Sequence, residues 1–125
     1  MVRIYTYAKC DTCRKAVRFL RAADMAFEEI PIREHPPSIE ELRAALQSAD
    51  GNLRSLFNTS GVDYRAMEIG KRLTEMTADA AIAMLASNGN LVKRPFVLGL
   101  GAPLTGFREE EWQTALRALP ISDRS

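Results

Sequence analysis

A chain of 125 residues with 46% apolar and 26% charged side chains has room for one domain around one core, and a formal charge of +1 from 17 basic and 16 acidic residues provides no global field to draw in nucleic acid or anionic lipid. No apolar run approaches the ~20 residues that span a bilayer, and Met1-Val2-Arg3-Ile4 opens a strand pattern rather than a signal peptide, so the expectation is a cytoplasmic protein with no membrane and no direct nucleic-acid partner. In that compartment a close cysteine pair is catalytic or sensing rather than structural.

Val2 to Tyr7 is a β-branched and aromatic run without a polar face, as expected of a strand covered on both sides. A helix follows from about Thr12 to Ala23, capped by Thr12 or Asp11, with Cys13, Ala16, Val17 and Leu20 at i, i+3, i+4 and i+7 on one face. Cys13 is therefore expected to point inward. Cys10 stands before the cap, where backbone N–H groups and the positive end of the helix face it. Lys9, Arg14 and Lys15 all favour its thiolate, so Cys10 is read as the attacking sulfur and Cys13 as the resolving one.

Other readings of the pair are weaker. A closed zinc site needs four ligands, and beyond the two cysteines the chain has only His35 and carboxylates. A phosphatase-type loop wants arginine six residues after its cysteine, but that count lands on Ala16 from Cys10 and on Phe19 from Cys13. Two inert core cysteines would both lie in the apolar stripe, and Cys10 lies outside it.

Phe27, Ile30 and Ile32 read as a second strand, kept from running into a helix by Pro31 and Pro36-Pro37; His35 is a loop residue between them. The first third is thus β-α-β, with a right-handed parallel crossover. Ser38 and Glu41 form a capping box, and Ile39, Leu42, Ala45, Leu46 and Ala49 continue an apolar stripe to Gly51. Leu53, Leu56 and Phe57 predict another helical turn or two, ended by Asn58-Thr59-Ser60-Gly61. Tyr64, Met67, Leu73 and Met76 read as the buried side of a short helix and loop, and Thr77 to Asn88 as a helix stopped by Gly89. The group Met67, Met76 and Met84 is expected in the core.

The pattern then returns to strand. Phe96-Val97-Leu98, a turn at Gly99 to Pro103, and Leu104 to Phe107 predict a hairpin whose first strand follows Pro95. Glu109, Glu110 and Glu111 suit a helix start, and Trp112, Ala115, Leu116 and Leu119 should pack inward until Pro120. The last five residues are expected to fray. The order β-α-β, a helical stretch, then β-β-α is a thioredoxin-like α/β organisation: one domain over 1–125 with a helical insertion at about 36–90.

Beyond periodicity, the chain resembles the arsenate reductase family of the ArsC type, which includes the Spx redox regulators. The resemblance rests on Tyr5, on CDTCRKA at Cys10 to Ala16, PPSIEEL at Pro36 to Leu42, LFNTSG at Leu56 to Gly61, KRP at Lys93 to Pro95, and GFREEEW at Gly106 to Trp112. It implies a thioredoxin-like fold with a helical insertion, a catalytic or sensing Cys10, and Pro95 facing it, in that fold commonly a cis proline. It also implies chemistry in which a cysteine thiolate attacks arsenate and glutathione with glutaredoxin, or another thiol, completes the reduction. A charged oxyanion nearing an anionic sulfur needs cations, and Arg94 matches the arginine of the family's Arg-Pro step. Arg14, Lys9, Pro95, Asn58 and Ser60 complete the expected substrate site. The chain departs from the family where relatives often carry arginine at Asn58 to Ser60, since none follows until Arg65, and Arg108 aligns only loosely with a third cation.

The expected function is a thiol oxidoreductase acting on arsenate or on a glutathione-linked or disulfide substrate, monomeric, with no bound cofactor or metal and with glutathione, glutaredoxin or thioredoxin as electron donor. The alternative is a Spx-like regulator that binds RNA polymerase and uses Cys10 and Cys13 as a disulfide switch.

Overall fold

The computed structural model describes residues 1–120; the final five, expected to fray, lie outside the described residues. Strand β1 (Val2–Thr6) is central in a four-stranded sheet. It runs parallel to β2 (Phe27–Pro31) and antiparallel to β3 (Phe96–Leu98), which pairs with β4 (Leu104–Thr105) to give the order β2-β1-β3-β4. Helix α1 (Asp11–Ala22) makes the crossover between β1 and β2. Between β2 and β3 the chain is helical: α2 (Ile39–Ser48), a 3-10 turn at Leu53–Leu56, α3 (Val62–Ala66), α4 (Ile69–Arg72), α5 (Ala78–Ser87) and a second 3-10 turn at Gly89–Leu91. Helix α6 (Glu109–Ala118) closes the fold. This is the thioredoxin-like arrangement read from the sequence.

Alternation along the central strands divides the core into two layers. Val2, Ile4 and Val97 face one side, where they meet Ala16, Val17 and Leu20 of α1 and Trp112 of α6. Tyr5 and Phe96 face the other, among Leu42, Ala45, Ile82 and Leu85 of α2 and α5. The two rings meet edge to face at 5.7 Å. Ile4, Tyr5 and Thr6 are all buried, as expected of a strand covered on both faces, while Arg3 reaches outward to pair with Glu41. Strand β2 is an edge, which is why Pro31 sits inside it at no cost to the ladder. Ile32 lies just beyond β2, fully buried, and its N–H still donates to the Thr6 carbonyl at 2.9 Å.

Several expectations are corrected. The cap of α1 is neither Thr12 nor Asp11, which both fall within the first turn, but Cys10. Ile39 and Met67 are 39% and 37% exposed, so neither belongs to the core; each lies at the margin of its helix, where the apolar stripe leaves the packed face. Helix α5 ends at Ser87, with Thr77 and Asn88 as its caps. Gly89 does not stop it in a left-handed conformation. It is buried, and an added Cβ would lie 1.9 Å from the Ile32 carbonyl oxygen, so glycine is required by the close approach of two backbones.

Candidate active site at the first strand-to-helix turn

The turn between β1 and α1 is held by its own backbone: the Cys10 N–H donates to the Tyr7 carbonyl at 3.1 Å. Cys10 then takes an extended conformation, φ −108° and ψ 111°, and its sulfur accepts the backbone N–H of Cys13 at 3.2 Å. A half-buried sulfur thus performs the capping task that serine or aspartate performs elsewhere, at the positive end of a 12-residue helix. Among the described residues both cysteines are free thiols.

The second sulfur is in a different environment. Cys13 is 2% exposed, on the buried face of α1 with Ala16, Val17 and Leu20, as its spacing predicts. Burial pushes its thiol up to about 12, and hydrogen bonding to the Cys10 sulfur and that sulfur's charge push the same way; a backbone hydrogen bond from Tyr7 and the charge of Arg94 oppose them. The two thiols are therefore unequal: one caps a helix at the surface, the other is held protonated beneath it.

Arg94 precedes Pro95, and the peptide between them is cis; Pro95 is buried. The Arg94 guanidinium carbon lies 4.6 Å from the centre of the Tyr7 ring, and its Nη1 is buried without a hydrogen-bond partner. Asn58 lines the same pocket of about 280 Å³, so Arg94 and Asn58 are brought together. Ser60 and Lys9 are exposed and do not line it. Arg14 turns outward instead, where its guanidinium pairs with Asp11 and donates to the Ala8 carbonyl. It lines a second groove, of about 330 Å³, with Cys13, Arg18, Arg21 and Glu29. Arg108 stands in a third groove, beside Lys93 and Glu111, which Arg94 does not line. His35 is exposed in the loop after β2.

The aromatic and charged residues that line this pocket with Arg94, namely Tyr7, Arg33 and Asp63, have no site role in the sequence reading. Tyr7, read as the end of a strand, is the ring against which Arg94 lies. Arg33 also lies over that ring, 5.1 Å from its centre, and donates from Nη1 to the Tyr7 hydroxyl at 3.2 Å. Asp63 lines the same pocket, its carboxylate accepting the side-chain amides of Asn88 and Asn90 at 3.1 and 3.2 Å. No spacing relates positions 7, 33, 63 and 94; only the crossover after β1 and the return of the chain at β3 bring them together. Among the described residues no group of three or more His, Cys, Asp or Glu side chains is placed to hold a metal ion, and no helix is long and apolar enough to cross a membrane.

Known proteins resemble this chain over most of its length. The chain is 39% identical to the uncharacterized protein YusI of Bacillus subtilis over 109 residues, which is 87% of this chain and 92% of YusI. It is 25% identical over 111 residues to the global transcriptional regulator Spx of Lactiplantibacillus plantarum, covering 89% of this chain and 83% of Spx. Among solved structures, a possible arsenate reductase from Streptococcus mutans superposes with a TM-score of 0.82 at 34% identity, over 90% of this chain and 98% of the other. Residues 5–115 match the ArsC family, and they contain the cysteine pair, the helical segment and the Arg-Pro step alike: the chain belongs to the ArsC family.

Proposed function

We propose that this protein is a thiol oxidoreductase in which Cys10 attacks and Cys13 resolves. The observation that carries this reading is the inequality of the two sulfurs: Cys10 is half-buried at the cap and accepts a backbone N–H, while Cys13, one turn away, is 2% exposed and held protonated. On a disulfide substrate, the Cys10 thiolate attacks one sulfur, the S–S bond breaks, and the other half leaves as a thiolate. Cys13 then gives up its proton and attacks Cys10, releasing the second half as a thiolate and leaving a Cys10–Cys13 disulfide. Glutathione or a dithiol protein such as glutaredoxin or thioredoxin reduces that disulfide. On arsenate, the same thiolate attacks arsenic as water leaves, and thiols take the arsenic to arsenite. Arg94, with the Asn58 amide beside it, is the group suited to offset the anion's charge.

The oxidation of Cys13 is gated by its own environment. Two of the causes that raise its pKa, the hydrogen bond to the Cys10 sulfur and the charge on that sulfur, disappear once Cys10 is bonded to substrate. Burial, the largest cause, remains, so the resolving thiol is easier to deprotonate after the first step than before it but stays above its ordinary value.

The likeness to Spx favours one other reading, in which Cys10 and Cys13 form a disulfide switch on a regulator that binds RNA polymerase without turnover. Steady-state assays separate the two. Purified protein with arsenate, or with a glutathione mixed disulfide, should oxidise a glutathione–glutaredoxin or thioredoxin couple, and Cys10→Ser should abolish the rate. Silence in every coupling, with oxidant-dependent capture of polymerase subunits, would establish the regulator.

A further inference from the structure

Helix α1 concentrates charge that the rest of the chain does not. Its 12 residues include four basic side chains and one acidic one, while the whole chain is only +1. Arg14, Arg18 and Arg21 stand at i, i+4 and i+7, and all three line the groove of about 330 Å³ between α1 and Glu29 of the edge strand β2. Like charges at that spacing destabilise a helix. Asp11 offsets Arg14, but among the described residues neither Arg18 nor Arg21 is in an ion pair; the Arg21 guanidinium carbon lies 5.9 Å from the centre of the Phe27 ring. Glu29, the one carboxylate lining the groove, does not neutralise them, and its Oε2 instead accepts the Thr6 hydroxyl at 2.6 Å.

The three arginines span roughly 10 Å of helix axis, which a single small anion cannot bridge. An extended peptide sets the side chains of one face about 7 Å apart, so carboxylates at alternate positions reach successive arginines. A nucleic-acid strand fits less well, because Asp11 and Glu29 stand beside the arginines and a net charge of +1 gives no field for a polyphosphate. The groove also reaches the reactive turn: Ala8 and Cys13 line it, on either side of the Cys10 cap. We propose that this groove docks an acidic, extended segment of the partner protein whose thiol or disulfide exchanges with Cys10. Its purpose rests on the thiol oxidoreductase reading; charge complementarity selects the partner, and screening by salt is its signature.

Two short peptides test this. Each has a central cysteine joined in a disulfide to 5-thio-2-nitrobenzoate, with glutamate in one and glutamine in the other at alternate flanking positions. The Cys10 thiolate attacks the peptide sulfur, the S–S bond breaks, and the coloured thiolate leaves, so stopped-flow absorbance reports the rate. The wild-type protein should react about tenfold faster with the acidic peptide at low ionic strength, and the preference should fade in molar salt. Arg18→Gln combined with Arg21→Gln should cut the preference to about twofold. Both side chains are exposed and glutamine suits a helix, so circular dichroism should be unchanged. Arg72→Gln, the same change of charge at an exposed residue of α4, should leave the preference intact. The proposal is overturned if the wild-type protein shows no preference, if the double variant keeps it, or if Arg72→Gln lowers it as much. A single-stranded oligonucleotide that abolishes the preference at stoichiometric concentration would make the groove a nucleic-acid site and overturn it as well. Absence of turnover in the coupled assays would defeat the oxidoreductase reading and leave this result standing, because the exchange requires only a Cys10 thiol.

Discussion

At the scale of single residues, the chemistry turns on a sulfur that caps a helix and another beneath it. Cys10→Ser retains a side-chain acceptor for the Cys13 N–H, whereas Cys10→Ala removes it. Thermal or urea denaturation should show Cys10→Ser close to wild type and Cys10→Ala about 1 kcal/mol less stable, although both lack activity. Cys13 sets the pH dependence of the second step. Burial, the largest cause of its raised value, persists once Cys10 has reacted, so Cys13 remains mostly protonated at neutral pH. Decay of a Cys10–glutathione mixed disulfide should therefore accelerate by up to about tenfold per pH unit between pH 7 and 9, and not in Cys13→Ser, as followed by mass spectrometry.

At the scale of elements, one glutamate ties the helical segment to the sheet. Glu41 closes the capping box of α2 by accepting the Ser38 N–H at 2.9 Å, and the same carboxylate accepts the Tyr5 hydroxyl at 3.1 Å and the Arg3 guanidinium. Desolvation works against its charge, but the hydrogen bonds from Ser38, Tyr5 and Arg3 outweigh it and hold the carboxyl below its ordinary value. The folded state thus favours the carboxylate: the contribution is present above the unfolded value of 4.5 and is lost as pH falls through the lowered folded value. Tyr5 acts at the other end. Burial first, then Glu41, raises it from 10.0 to about 12, so its contribution is complete below pH 10 and declines as pH rises to 12. Glu41→Gln should cost about 1–3 kcal/mol at pH 7 and flatten the acid limb of the stability curve, and Tyr5→Phe should flatten part of the alkaline limb, in chemical denaturation across pH.

At the scale of the whole molecule, two core layers share one sheet, and single residues fix how the surrounding segments lie against it. Gly89 lets the segment leading into β3 lie on the backbone just past β2; Gly89→Ala places a methyl against the Ile32 carbonyl and should cost on the order of 3 kcal/mol or prevent folding. Trp112, fully buried among Phe19 and Phe107, anchors α6 under the sheet, with its indole N–H donating to the Gly106 carbonyl at 3.2 Å. It is the only tryptophan in the chain, so its emission should shift red in a single transition that coincides with loss of helical circular dichroism. Trp112→Phe should lower stability by about 2–4 kcal/mol, through lost contact area and an unpaired carbonyl.

The parts of this protein that obey local rules were legible from its residues in order. The apolar run of β1, the stripe Cys13-Ala16-Val17-Leu20, the capping box at Ser38 and Glu41, and the β-β-α ending each follow from periodicity or from one side chain reaching its own backbone, and both need only neighbours in sequence. The inward face of Cys13 follows from the same 3.6-residue period. Tertiary structure alone decided that Cys10 is itself the cap, that Met67 and Ile39 lie outside the core, and that Gly89 is demanded by Ile32 rather than by a helix end. It alone assembled Tyr7, Arg33, Asp63 and Arg94, which come from four separate segments. A pocket lined from four separate segments has no period along the chain; it exists only after the crossover and the hairpin have returned those segments to one another.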